Sequence, residues 1–111
     1  MKVALISAPM QNAWHPAPSI TFLKGLLESH DIDSTCFDMN HDFVKEFGLD
    51  VVEWTEHNRN YKEEYGEWIY EYSKKFLDYD WIGSSIFPFH SQIFTTKLCE
   101  ILKGRTNAKI V

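Results

Sequence analysis

No run of apolar residues in this chain approaches the ~18 that a membrane-crossing helix needs, so no helical span is expected. The amino terminus lacks the charged-then-apolar pattern of a secretory leader and opens directly on a strand-like stretch. A cytoplasmic location is the expectation. Basic residues are few and scattered: 11 Lys and Arg against 16 Asp and Glu give a formal charge of −5. With no Lys/Arg cluster, a nucleic-acid partner is not expected. Cysteine is scarce too, and Cys36 and Cys99 stand far apart in no metal-ligand spacing, the pattern of reduced structural thiols. The signatures of common cofactor chemistry are missing. There is no G-x-G-x-x-G after the first strand, no G-x-x-x-x-G-K-[ST], no C-x-x-C and no H-E-x-x-H. Ser84 and Ser85 lie inside an apolar stretch without the G-x-S-x-G of a nucleophile elbow, so hydrolase chemistry finds no support.

What the chain does have is enough apolar material for a folded domain: 44% hydrophobic and 15% aromatic residues over a length of 111, the size of one domain with a modest core. The segment Lys2 to Pro18, KVALISAPMQNAWHPAP, organises the rest. Val3, Ala4, Leu5 and Ile6 form an unalternating apolar run, as expected of a strand covered on both faces of a parallel sheet. Ser7-Ala8-Pro9 ends it, and a proline-rich loop carrying Trp14 and His15 follows. Loops at this position usually need only ~2–6 residues. Two readings fit the longer one: a ligand loop at the carboxyl end of an open α/β sheet, or a surface loop whose Trp14 covers the sheet edge.

Spacing of Ile20, Leu23, Leu26 and Leu27 predicts a helix over 19–29, with Ser19 as its cap after Pro18. A second strand is expected over 32–38, with Cys36 and Phe37 buried. Short helices follow over 39–47 and 49–57, separated by Gly48. Tyr61, Tyr65, Trp68, Ile69, Tyr72 and Phe76 recur at steps of three and four, which predicts an amphipathic helix over 61–77 whose aromatic stripe is core. A third strand over 81–87 leads to a helix over 91–103 with Ile93, Phe94, Leu98, Ile101 and Leu102 on one side and Gly104 at its end. Ala108 to Val111 starts a fourth strand. The order of elements makes an open parallel α/β sheet of flavodoxin-like (Rossmann-like) type with flanking helices the expected fold, cut short after the fourth strand. Residues 1–111 would form one domain, the amino-terminal fragment of a larger protein. An uncovered fourth strand invites either a missing catalytic domain or self-association through that strand.

In such a sheet the loops after the three strands open on one edge. They carry Pro9, Met10, Gln11, Asn12, Trp14 and His15, then Asp38, Asn40, His41 and Asp42, then Phe87, Pro88, Phe89, His90 and Gln92. Apolar faces with a polar periphery suit a large, flat, partly apolar ligand. Metal or cobalt ligation by one of these histidines would need supporting ligands that the sequence does not place beside it. Asp38 reads as an acidic partner or as an Asx turn or helix cap. Gly83-Ser84-Ser85 either lets a ligand lie against the backbone or allows a helix to pack closely on the sheet.

Four stretches carry a resemblance: KVALISAP with its proline loop and PSITFLKGLLESHDID, then CFDMNHDF, DWIGSSIFPFHSQ and NAKIV. Together they resemble the amino-terminal cobalamin (vitamin B12)-binding domain of radical S-adenosylmethionine proteins, over nearly the whole chain. The resemblance implies a flavodoxin-like sheet that docks the corrin ring on its carboxyl edge, with the nucleotide tail beside the strands. Pro9, Met10, Gln11 and His15 would line the ring, Asp38 and Asn40 would sit at the end of the second strand, and Ser84, Ser85 and Phe87 would contact ring or tail. The Asp-x-His-x-x-Gly loop of cobalamin-dependent mutases is not present, with Ala13 and Pro18 at its outer positions, so no histidine ligand to cobalt is implied. The Cys-x-x-x-Cys-x-x-Cys of the radical barrel is absent. An iron–sulfur cluster and S-adenosylmethionine would belong to a catalytic domain outside this chain, which alone would bind or present cofactor without chemistry of its own. The alternative is a cofactor-free flavodoxin-like interaction or regulatory module.

Overall fold

A computed structural model of the chain describes residues 1–9, 18–48, 63–85 and 92–111. Strand β1 (Val3–Ser7) is followed by helix α1 (Pro18–Ser29), strand β2 (Ser34–Phe37) and helix α2 (Met39–Phe47). Helix α3 (Glu63–Tyr72) runs on into a 3-10 turn (Ser73–Phe76), then strand β3 (Trp81–Ser85), helix α4 (Gln92–Lys103) and strand β4 (Lys109–Ile110). The four strands form one sheet, all parallel, in the order β2-β1-β3-β4. This is an open α/β sheet of flavodoxin-like type. No helix among the described residues is long and apolar enough to cross a membrane.

The unalternating run in β1 has its explanation in this order. With strands on both sides and helices on both faces, every residue from Val3 to Ser7 is buried. Chain direction sets which helices go where. From β1 the chain moves outward to β2, then returns across β1 to β3, and right-handed crossovers in opposite directions place their helices on opposite faces. Val3 and Leu5 accordingly pack with Ile20 of α1 and the half-buried Leu27, Ile32 and Cys36. Ala4, Ile6 and Ile82 face the larger core, with Met39 and Phe43 of α2, Tyr65, Ile69 and Tyr72 of α3, and Phe94, Leu98 and Leu102 of α4.

The aromatic stripe of α3 is core, as its spacing predicts, but the helix is shorter than the pattern. It is α-helical to Tyr72 and tightens to 3-10 over Ser73–Phe76. Arg105, from the turn after α4, holds that junction. Its guanidinium donates to the Tyr70 carbonyl (3.1 Å) and to Ser73 Oγ (3.0 Å), and stacks 4.2 Å from the Tyr70 ring. Tyr61 lies outside the described residues, as does the helix expected over 49–57.

Other expectations need correction. Pro18 is itself the first helical residue of α1, where its missing N–H costs nothing, so Ser19 lies inside the helix and is not its cap. Strand β2 is confined to Ser34–Phe37. Its Cys36 and Phe37 are half-buried on opposite faces: the Cys36 thiol reaches the Ile20 carbonyl at 3.6 Å, and Phe37 meets Phe76 and Tyr79 edge-on. β3 is described to Ser85; residues 86 and 87 of the expected strand lie outside the described residues. Ile93 is exposed, not on the buried side of α4. Leu23 and Leu26 of α1 are exposed as well. Gly104 ends α4 through its N–H to the Ile101 carbonyl (3.2 Å), without entering the left-handed region that Gly48 alone occupies among the described glycines.

Gly48 caps α2 at φ 64°, donating to the Val44 carbonyl at 2.7 Å. A Cβ placed there meets nothing within 4 Å. Gly48→Val is therefore expected to cost about 1–2 kcal/mol from backbone strain alone. Gly48→Asn should recover most of it, as urea unfolding of the two variants would show.

Candidate functional site

The chain leaves β1 in one direction, to β2, and leaves β3 in the other, to β4, so the topological switch falls between β1 and the strand beside it, β3. Ligands of open α/β sheets bind in the crevice at the carboxyl ends of those strands. Here β1 ends in Ser7, Ala8 and Pro9, all buried. β3 ends in Gly83, Ser84 and Ser85, paired with Leu5, Ile6 and Ser7. β2 ends at Phe37 and delivers Asp38 and Asn40 to the same edge.

Pairing fixes which face each residue serves, because side chains alternate along a strand. Gly83, opposite Leu5, belongs to the α1 face. Ser84, opposite Ile6, belongs to the face of the larger core, and its N–H donates to the Val111 carbonyl at 3.1 Å. The neighbouring small residues therefore do not form one continuous contact surface. A Cβ built on Gly83 would touch Leu5 Cδ2 at 3.4 Å and the Ala4 carbonyl at 4.0 Å, and would meet no other described atom within 4 Å. The glycine leaves a strip of β3 backbone beside Leu5 with no side chain of its own.

Asp38 takes the role of helix cap: its Oδ1 accepts from the His41 N–H at 2.9 Å, satisfying one of the free donors at the start of α2. Its side chain stays at the exposed edge. Asn40 is only 3% exposed and so is set into the fold beneath the edge. Of the expected site residues, Pro9, Asp38, Asn40 and Ser84 are thus brought to one edge of the sheet, as is the backbone of Ser85. Met10, Gln11, His15 and Phe87 lie outside the described residues.

Burial pushes the Cys36 and Cys99 thiols up, which keeps both protonated at neutral pH and poor nucleophiles. Tyr72 is pushed up furthest, first by burial and then by the hydrogen bond that its hydroxyl donates to Asp42 (2.5 Å). No group of three or more His, Cys, Asp or Glu side chains able to hold a metal ion occurs among the described residues. Open depressions lined by described residues lie elsewhere. One of about 740 Å³ sits at the amino edge by Met1, Glu28 and Asp33, and one of about 610 Å³ lies between α3 and α4. Two contributions had no strong signal in the sequence. Arg105 is an isolated base after a helix, and the atoms that lie beside Gly83 depend on the pairing of β3 with β1. No family model, no curated protein and no solved structure matches this chain.

Proposed function

We infer that the chain is a cofactor-holding module of cobalamin-binding type, an accessory domain that binds and presents the group to a catalytic domain. The observation that carries this is the strip of backbone at Gly83, on the strand next to the switch point, where a Cβ would meet only Leu5 Cδ2 at 3.4 Å and the Ala4 carbonyl at 4.0 Å among the described atoms. Its floor is apolar and its carboxyl end is polar. That combination fits an extended amphiphilic ligand lying along β3 with its broad head at the sheet edge.

Each residue then has a separate task. Gly83 and Leu5 would seat the tail against backbone and methyl groups. Buried Pro9 fixes the start of the β1 loop, so that Met10, Gln11 and His15 would leave the sheet beside the ring. Asp38 orders the first turn of α2 and stands at the rim, with Asn40 buried beneath it, and Ser84, Ser85 and Phe87 would complete the β3 side. Cobalamin, when bound, supplies a redox-active cobalt, while the chain's own contribution is binding, orientation and exclusion of water.

Titration with hydroxocobalamin, followed by visible absorbance and calorimetry, tests this reading. Saturation near one per chain is expected. Gly83→Val should weaken binding at least tenfold while leaving the unfolding midpoint nearly unchanged, because the added Cβ makes only an ordinary contact with Leu5 and valine suits a strand. Undiminished binding by a folded Gly83→Val variant would remove the strip from the site. No binding by the parent chain would favour the cofactor-free interaction module.

A further inference from the structure

Helices α3 and α4 lie side by side on the larger-core face and run the same way. Tyr65 meets Phe94 near their starts, with ring centres 6.0 Å apart, and Arg105, just past the end of α4, stacks on Tyr70 near the end of α3. On their outer side the two helices do not close on each other, and a groove of about 610 Å³ runs between them. Apolar groups line its base: the Gly66 backbone, the Tyr70 ring and Ile101. Tyr70 is 47% exposed, and Gly66 and Ile101 are half-buried. With no side chain at Gly66, α3 offers only backbone between Glu63 and Tyr70 along this base.

One wall of the groove is acidic along its length. Glu63, Glu67 and Glu71 line it at four-residue spacing, a rise of ~6 Å from each to the next. Like charges one turn apart on a helix oppose each other. Glu63 stands in the first turn, where the helix dipole favours an anion, but Glu67 lies beyond it. Glu71 pairs with Lys74 at 2.7 Å. Neither Glu63 nor Glu67 has an ion pair among the described residues. Lys97 is the one base lining the groove. Unmatched negative charge is therefore set along an apolar groove, not spread over a convex solvated face.

We propose that this groove seats a basic amphipathic helix of a different protein chain. Two adjacent helices offer a third a seat along the furrow between them, and an acidic wall over an apolar base asks for cations beside an apolar stripe. Lys or Arg at every fourth residue of the partner would meet the carboxylates in register. An apolar side chain on the same flank would settle over Gly66, against Tyr70 and Ile101. Charge complementarity of this kind fixes register and excludes acidic partners. A second copy of this chain does not supply such a helix: α1 and α2 carry one Lys each, α3 carries none, and Lys97 and Lys103 of α4 do not share the spacing. The seat is independent of the cofactor reading, because Gly83 belongs to the α1 face of the sheet and α3 and α4 cover the other.

The probe is a fluorescein-labelled peptide of about 18 residues, long enough to fold as a helix on binding, with lysine at every fourth position beside a leucine stripe. The same peptide with glutamate for lysine is the control. Fluorescence anisotropy measures affinity and circular dichroism measures helix gained in the complex. The full chain is expected to bind the lysine peptide and not the glutamate one, with a gain of helix. Glu67→Lys should weaken binding about tenfold or more, since attraction becomes repulsion. Glu46→Lys, an equal change of net charge on exposed α2, should leave it within about twofold. Tyr70→Ala keeps the charge, removes part of the apolar base and should weaken binding about fivefold. All three positions are exposed, so circular dichroism and unfolding midpoints should stay close to those of the parent. Equal binding of the two peptides, or none of either, would overturn the proposal. So would equal losses from Glu67→Lys and Glu46→Lys, which would reduce the effect to net charge. Binding without a gain of helix would overturn the helical occupant in favour of an extended basic segment.

Discussion

Replacing Phe43 by alanine is expected to lower the unfolding free energy by about 3–5 kcal/mol. Phe43 is fully buried, and its ring lies 4.7 Å from Phe47, 5.2 Å from Tyr65, 5.5 Å from Trp68 and 5.3 Å from Phe94, centre to centre. Those partners come from α2, α3 and α4, so one side chain joins three elements that no β-ladder connects. Helices of nine to twelve residues are marginal alone in water, and their order depends on this cluster. Rigid rings on every side leave little scope for collapse into the cavity, which places the cost high in the usual range. Against a total of about 5–15 kcal/mol for a domain, most of the stability would go. Urea unfolding followed by near-ultraviolet circular dichroism measures it; a loss below about 1 kcal/mol would mean that the cluster is not the keystone of this face. Phe43→Leu, which keeps much of the volume, should cost roughly half as much.

Alkaline pH is expected to have the second large effect. Tyr72, Tyr65, Cys36 and Cys99 are all neutral when protonated, and burial raises all four. The folded chain therefore holds these protons more tightly than the unfolded chain. Stability is constant below the unfolded values, near 9 for the thiols and 10 for the phenols, and falls as pH rises above them, by up to about 1.4 kcal/mol per pH unit for each group. Tyr72 dominates, because its hydroxyl is both buried and engaged with Asp42. Tyr72→Phe should be less stable at pH 7, by about 1–2 kcal/mol for the lost charge-assisted bond, yet show a shallower decline above pH 10. Unfolding midpoints at neutral and alkaline pH compare the two slopes. Parallel slopes would show that Tyr72 does not hold its proton in the fold.

What was legible at this edge of the sheet was legible because its signals are local. A buried strand reads as an unbroken apolar run, and Val3 to Ile6 are just that. Asp38 three residues before His41 has the spacing of a helix cap, one of its two expected roles, and the structure gives it that one. Small residues at Gly83 and Ser84 also stood out, and alternation along β3 sends them to opposite faces. The apolar spacing of α1 misled in a similar way. Periodicity shows that Leu23 and Leu26 share a side of a helix; it cannot show that only Ile20 and Leu27 of α1 are turned to the sheet among the described residues.

The sequence by itself determined the elements, their order and the parallel α/β class, because hydrophobic period, turn residues and helix caps act over a few residues. It also determined which aromatic residues form the core of α3. Only the tertiary structure decided that β1 lies between β2 and β3, that Arg105 anchors the end of α3, and that Leu23 and Leu26 are exposed while Ile20 and Leu27 meet the sheet. Those outcomes depend on how crossovers sort helices onto two faces and on which side of a helix meets the sheet, features that no short window of sequence contains.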